Sequence, residues 1–94
     1  MKTMKFECDD RYEAEKLASL MSIQRDDSAW IAGVGAIIRN EIVIQLKDRS
    51  SHAVVLKDTE VAGRLEQLIH DIVKGKVKIH STDSSGPTAM IRVV

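Results

Sequence analysis

The stretch AWIAGVGAIIRNEIVIQLK, residues 29–47, decides the fold of this 94-residue chain. Residues 41–47 alternate between apolar and polar side chains, which is typical of a strand with one buried face. Arg39 and Asn40 precede that strand and predict a tight turn, because asparagine tolerates left-handed backbone. β-branched and small residues fill the segment on the other side of the turn. The stretch therefore predicts a β-hairpin whose first strand covers residues 28–38.

That first strand is unusual because residues 29–38 are apolar at both odd and even positions. A strand in a sheet with one solvated face would then expose a row of apolar side chains to water. Three explanations are open. A bulge at Gly33 or Gly35 could turn both halves of the strand toward the core, or the sheet could curl. Alternatively, the second face packs against another subunit, with the glycines allowing close contact.

Outward from this hairpin, the sequence predicts two helices and four further strands. Asp10, and Asp58 or Thr59, are positioned to cap helices with apolar stripes, and Gly75 is positioned to end the second one. No internal repeat is apparent. The pattern predicts one α+β domain, residues 1–94, with the order β-α-β-β-β-α-β-β. It predicts a single mainly antiparallel sheet with both amphipathic helices on one face. The remaining predicted segments are helix 1 to about residue 24 and strands at 2–8, 52–57, 76–80 and 88–94.

The charges cancel, with 14 basic residues against 14 acidic ones, which excludes a generally basic nucleic-acid binder. By count, however, the predicted strands hold eight basic residues and two acidic ones, a net charge of +6. One face of the sheet could therefore bind RNA or single-stranded DNA, although it offers no aromatic side chain for base stacking. The residues expected to carry that alternative function are Lys5, Lys47, Lys76, Lys78 and Arg92. A third hypothesis is capture of a small anionic metabolite or nucleotide between subunits, by these residues and a flexible turn at 81–87.

Catalytic and metal sites are not indicated. Cys8 lies on the predicted buried side of the first strand, where a thiol is not accessible as a nucleophile. The three histidines show no metal-ligand spacing. We therefore expect no enzyme activity, cofactor or metal. A single cysteine forms no internal disulfide and favours a reducing, cytoplasmic location. No apolar run approaches the roughly 20 residues of a membrane-spanning helix, so we expect no membrane partner.

Protein contact is the function that the sequence favours. Tyr12 and Ile23 point away from the apolar stripe of the first helix, and Trp30 follows soon after. Aromatic residues are enriched at protein interfaces. The predicted partner-binding residues are Tyr12, Ile23, Trp30, Ile31, Gly33 and Gly35. The resulting hypothesis is a small homo-oligomeric binding protein, such as a homodimer, that acts as an inhibitor, adaptor or regulator.

Overall fold

The computed structural model describes residues 1–22, 24–25 and 28–94, and for residues 24, 25, 28, 29 and 36 it describes the backbone alone. Strands and helices in this part of the chain follow the predicted order, with one small hairpin added between the first helix and the long strand. The elements are β1 (Lys2–Glu7), α1 (Arg11–Met21), β2 (Gln24–Arg25), β3 (Ser28–Ala29), β4 (Ile31–Ile38), β5 (Glu41–Leu46), β6 (Ser51–Val55), α2 (Thr59–Val73), β7 (Ile79–Ser85) and β8 (Thr88–Val93).

Both helices begin at an aspartate, as predicted. Oδ1 of Asp10 accepts a hydrogen bond from the backbone N–H of Glu13 at 2.9 Å, and Oδ1 of Asp58 accepts one from Val61 at 2.9 Å. Each cap satisfies an N–H group that has no partner inside the helix. Gly75, with a φ of +77°, follows the end of α2 and confirms the predicted stop there.

The α+β class, the element order and the antiparallel pairing are confirmed, but the strands form two main sheets rather than one. One sheet has the strand order β1–β8–β7 and the other has the order β4–β5–β6, while β2 and β3 pair with each other. Helix α1 packs against β7 and β8, and α2 packs against β4. The prediction of a single sheet is wrong because β1 and β6, which are edge strands of the two sheets, do not pair along their length. Among the described residues they are joined by one isolated bridge just beyond their C-terminal ends.

The two sheets arise from an internal repeat that the sequence analysis missed. The first repeat, residues 1–48, contains β1, α1, β4 and β5; the second, residues 49–94, contains β6, α2, β7 and β8. Strand β1 pairs with β8 of the second repeat, and β6 pairs with β5 of the first. Each repeat therefore places its first strand and its helix on the hairpin of the other repeat.

The exchange relates the two repeats by a two-fold rotation, and the backbone pairing between them follows it. Cys8 faces Leu56, which lies 48 residues further along the chain, in an antiparallel bridge between the ends of β1 and β6. Beside the bridge, the N–H of Asp9 donates to the carbonyl of Val55 at 3.0 Å, and the N–H of Lys57 donates to that of Glu7 at 2.9 Å. If each residue is replaced by its equivalent in the other repeat, one of these hydrogen bonds becomes the other. The two-fold axis that relates the repeats therefore passes through the bridge.

Buried positions repeat in the same way and form one hydrophobic core cluster. The side chains of Leu17 and Leu65, at equivalent positions of α1 and α2, are both fully buried. Phe6 in β1 and Val54 in β6 are also fully buried and equivalent. The repeat was missed because its identical residues are few and widely spaced, at the caps Asp10 and Asp58 and at some of the buried positions. Its equivalent buried pairs include Phe6 and Val54, Cys8 and Leu56, Ala14 and Ala62, Leu17 and Leu65, Leu20 and Leu68, Met21 and Ile69, and Ile31 and Ile79.

Three predicted boundaries are wrong. Helix α1 ends at Met21 rather than near residue 24. The strand predicted at residues 28–38 is interrupted at Trp30, whose carbonyl accepts a hydrogen bond from the N–H of Lys47 at 2.9 Å. The strand predicted at residues 76–80 instead begins at Ile79 and continues through most of the predicted turn at 81–87. Polar residues there disguise a strand whose ladder to β8 is nonetheless continuous from Ser81 to Ser85.

Candidate functional site

The apolar strand β4 contains two irregularities in its pairing with β5. The register shifts between Ile31 and Gly33, and again between Val34 and Ala36. Each shift inserts one extra residue, as a β-bulge does. Ile31 and Val34 consequently point to the same side, toward the core, although they are three positions apart in the sequence. The bulges proposed in the first of the three explanations therefore account for part of the apolar pattern of β4, because Ile31 and Val34 share the core side whereas Ile38 stays 66 % exposed.

An apolar surface remains on the opposite side of this sheet. Val43 lies between the fully buried Ile42 and Ile44, so its half-buried side chain points outward. It pairs across the strands with the exposed Ala53. Val55 is half-buried in β6. We call Ile38, Val43, Ala53 and Val55 the outer face of the β4–β5–β6 sheet.

The strand ends complete this outer face. Ile38 is 66 % exposed and pairs with Glu41, which in turn pairs with Val55. Near the other end of the sheet, Gly33 pairs with Gln45, and no atom lies within 4 Å of a Cβ placed on Gly33. The surface is therefore mostly aliphatic, and Gly33 adds no side chain to it. The carboxylate of Glu41 lies at one margin and the amide of Gln45 lies at the other.

The equivalent surface of the β1–β8–β7 sheet has a different chemistry. Met90 occupies the position of Val43 and pairs with Lys5, which occupies the position of Ala53. Glu7 occupies the position of Val55, and Ser85 that of Ile38. One backbone arrangement thus carries a polar surface in one sheet and an apolar surface in the other. Since the core has the same pattern in both, the apolar surface is not a requirement of the fold.

The predicted partner-binding residues are not all at the surface. Tyr12 is 68 % exposed on α1, with Nζ of Lys16 at 5.3 Å from its ring centroid. Trp30 is half-buried and packs against the core. Ile31 is 1 % exposed and faces the core, where it pairs with the buried Leu46. Ile23 lies outside the described residues.

The two predicted glycines lie in β4. Gly33 is open to its surroundings, whereas a Cβ on Gly35 would come within 2.9 Å of Nε2 of Gln45. Gly35 therefore lets the Gln45 side chain lie against the strand. Sequence reasoning overlooked Val43, Ala53 and Val55. The signal for Val43 was present, because it lies between Ile42 and Ile44 on the opposite side of a strand predicted to have one buried face.

The five basic residues proposed for nucleic acid are divided between two sheets. Lys5 and Arg92 lie in β1 and β8, and Lys76 and Lys78 precede β7. Lys47 follows β5 in the other sheet. The guanidinium of Arg92 lies 3.3 Å from the carboxylate of Asp83 and so is partly neutralised. The turn predicted as a cradle at 81–87 is reduced to the residues that join β7 and β8, because most of it is strand.

Cys8 is the main candidate nucleophile. Its thiol is buried at the bridge with Leu56 and lies 3.6 Å from the carbonyl oxygen of Phe6. Burial, together with the negative charge of Glu13, raises the pKa of this thiol from 9.0 to about 11. A reactive cysteine needs the opposite shift, because the thiolate is the nucleophile. The environment of Cys8 thus favours an unreactive thiol.

Ser50, His52 and Asp48 form a second cluster that resembles nucleophilic chemistry in composition. Oγ of Ser50 lies 3.0 Å from Nε2 of His52 and donates to Oδ1 of Asp48 at 2.5 Å. In a serine triad the histidine stands between the serine and the carboxylate. Here the serine stands in the middle, and its proton is directed to the carboxylate. The arrangement is that of a turn held by its own side chains.

The described residues give no sign of a metal site or of a membrane-spanning helix. Among the described residues, no group of three or more His, Cys, Asp or Glu side chains could hold a metal ion. Neither helix in this part of the chain is long and apolar enough to cross a membrane. No protein-family model matches the chain, and neither a curated protein nor a solved structure is significantly similar to it.

Proposed function

We propose that this chain is a non-catalytic protein-binding module that associates with a second copy of itself through the outer face of the β4–β5–β6 sheet. The observation that carries this proposal is the difference between the two equivalent sheets. Where the β1–β8–β7 sheet has Lys5 and Glu7, the outer face has Ala53 and Val55. Depletion of charge is the compositional mark of the buried centre of a protein interface.

A second copy suits this surface for two reasons. The net charge of the chain is zero, so two copies do not repel each other as whole molecules. A chain of 94 residues also buries a modest share of its surface on folding and gains stability from an added interface. Glu41 lies at one margin of the face, where a two-fold interface can leave it in contact with water.

The chemistry of the side chains supports a binding role rather than catalysis. The thiol of Cys8 is buried and its pKa is raised, and Ser50 directs its proton to Asp48. A module of this kind would act by occupying a partner, as an inhibitor, adaptor or regulator. The single cysteine supports a reducing, cytoplasmic setting for it.

A matched pair of variants tests this proposal. Val43 and Met90 are both half-buried, occupy equivalent positions and face outward from their sheets. Size-exclusion chromatography with light scattering should show that Val43→Glu dissociates the oligomer, because the carboxylate would be buried without a partner. Met90→Glu should leave the oligomer intact. Circular dichroism checks that both variants fold. Equal masses for the two folded variants would contradict the proposal.

A further inference from the structure

The β4–β5–β6 sheet has a free edge as well as an apolar face. Within the described residues, β4 has a strand partner on the β5 side and none on its other side. The segment Ile31–Ile38 contains no charged residue and no proline, both of which natural proteins use to protect an edge strand. The equivalent edge strand β7 carries His80 and Asp83. The edge of β4 is therefore the less protected of the two.

A groove lies beside this edge, between β4 and the C-terminal end of α2. Ala32, Gly33 and Val34 line a cavity of about 490 Å³ from the strand side, and Val73 and Lys74 line it from the helix side. Val73 is 47 % exposed there. A groove between an edge strand and a helix allows a peptide to add to the sheet while its side chains contact the helix. The absence of a side chain at Gly33 leaves the approach to the strand open.

The groove has a basic rim. A second cavity, of about 440 Å³, shares Ala32 and Gln45 with the first and extends across the sheet to Lys47, Arg49 and Ser51. His70 lines the first cavity together with Lys74. Among the residues that the structure describes, no acidic side chain lines either cavity. Lys47, Arg49 and Lys74 make no ion pair with any residue that the structure describes. Their charge is thus available to a ligand.

The nearby carboxylates are directed elsewhere. Asp48, between the two basic residues of its turn, accepts hydrogen bonds from the backbone and the hydroxyl of Ser50. Asp71 on α2 accepts one from Gln67 at 3.1 Å. Neither carboxylate forms an ion pair with Lys47, Arg49 or Lys74 in the described part of the chain, so these basic side chains can contact an acidic occupant.

We propose that this groove, between β4 and His70, Val73 and Lys74 of α2, binds an extended acidic segment of another protein. The segment adds to the edge of β4 through main-chain hydrogen bonds, and its carboxylates lie near Lys47, Arg49 and Lys74. The two bulges limit this ladder to a few residues, so the charges contribute much of the specificity. A second copy of the chain fits the groove less well, because edge-to-edge pairing would add a second basic rim to the first.

Fluorescence anisotropy with labelled peptides of the length of β4, eight residues, tests this inference on the intact chain. The probes are a peptide of alternating Glu and Val, its Lys and Val counterpart, and a Glu and Val peptide with prolines that remove N–H donors. The acidic probe should bind at least about tenfold more tightly than the basic one, and proline should weaken it by a similar factor. Failure of the acidic probe to bind at about 1 mM, or equal binding of both signs of charge, would overturn the inference.

Variants locate the site. Lys74→Glu should weaken the acidic probe by about tenfold, whereas Lys76→Glu, an exposed lysine that lines neither cavity, should change it by less than about twofold. Equal effects would overturn the assignment to the groove. If a single-stranded oligonucleotide of the same charge displaced the acidic probe as effectively as the unlabelled acidic peptide does, that result would assign the groove to nucleic acid and overturn the assignment to a peptide. Val43 lines neither cavity, so Val43→Glu should not weaken peptide binding even where it abolishes self-association, which separates the two tests.

Discussion

Cys8 and Leu56 face each other in an antiparallel bridge and hold the same position in the two βαββ repeats of one chain. Their neighbours Asp9 and Lys57 donate to Val55 and Glu7 in two hydrogen bonds that the repeat interchanges. Since each repeat packs its strand and helix on the hairpin of the other, neither repeat contains its own complete sheet. The fold corresponds to a domain-swapped dimer whose two subunits are joined in one polypeptide.

Cleavage of the chain between Asp48 and Arg49 should therefore give two fragments that fold only when they associate. Residues 1–48 hold a hairpin without its third strand, and residues 49–94 hold the complementary hairpin. An equimolar mixture should recover the circular dichroism spectrum of the intact chain and elute as a complex. A fragment that is folded and monomeric by itself would show that the exchange is not required for folding.

The two helix caps should contribute equally to stability. Both aspartates have extended backbone angles, and both accept their cap hydrogen bonds at 2.9 Å. Asp10→Ala and Asp58→Ala should each lower the free energy of unfolding by about 1 kcal/mol in urea denaturation. The two losses should add in the double variant, because the sites share no partner. A marked difference between the single variants would mean that the repeats are not equivalent at these positions.

Glu13 has no counterpart in the second repeat, where Val61 stands in its place. Its Oε1 accepts a hydrogen bond from the N–H of Val55 at 2.8 Å, and its Oε2 lies 3.1 Å from Nζ of Lys16. Glu13→Ala leaves that partly buried N–H without an acceptor and should lower the free energy of unfolding by about 1–3 kcal/mol. The control is Glu15→Ala, which removes an exposed ion pair.

Urea denaturation measures both of these glutamate variants. The control should cost about 1 kcal/mol or less, because exposed ion pairs contribute little. If the two alanine variants lost the same stability, Glu13 would not link α1 to β6.

The thiol of Cys8 makes stability depend on alkaline pH. Its pKa is raised from 9.0 to about 11 in the folded chain, chiefly by burial, so between these values the unfolded chain loses a proton that the folded chain keeps. The free energy of unfolding should then fall as the pH rises from about 9 to 11. Below pH 9 both states hold the proton and the effect is absent. Urea denaturation at several pH values should show a shallower decline for Cys8→Ala; an unchanged slope would contradict this.

Much of the fold could be predicted because its signals are local. Strand alternation in β5 and the capping aspartates Asp10 and Asp58 depend on near neighbours in the sequence. The division into two sheets could not be predicted in this way. It depends on which strands β1 and β6 choose as partners, and a strand carries no local mark of its partner. β7 was misplaced for a different reason: after Ile79 its residues are polar on both faces of the strand, so the segment resembles a turn.

The candidate site was predicted only in part. Residues 29–38 pointed to the sheet that carries the outer face, but the first bulge places Val34 on the same core-facing side as Ile31, which is 1 % exposed. An extra residue in a strand is set by pairing with its neighbour, which the sequence does not state. The outer face became visible only when Val43 and Ala53 could be compared with Met90 and Lys5 at equivalent positions.

Sedimentation equilibrium of the unaltered chain tests the central claim, self-association through the outer face, most directly. The mass of one chain is 10.5 kDa. The account predicts an average mass that approaches at least twice this value as the concentration rises through the micromolar range. A single species of 10.5 kDa at every concentration would contradict it.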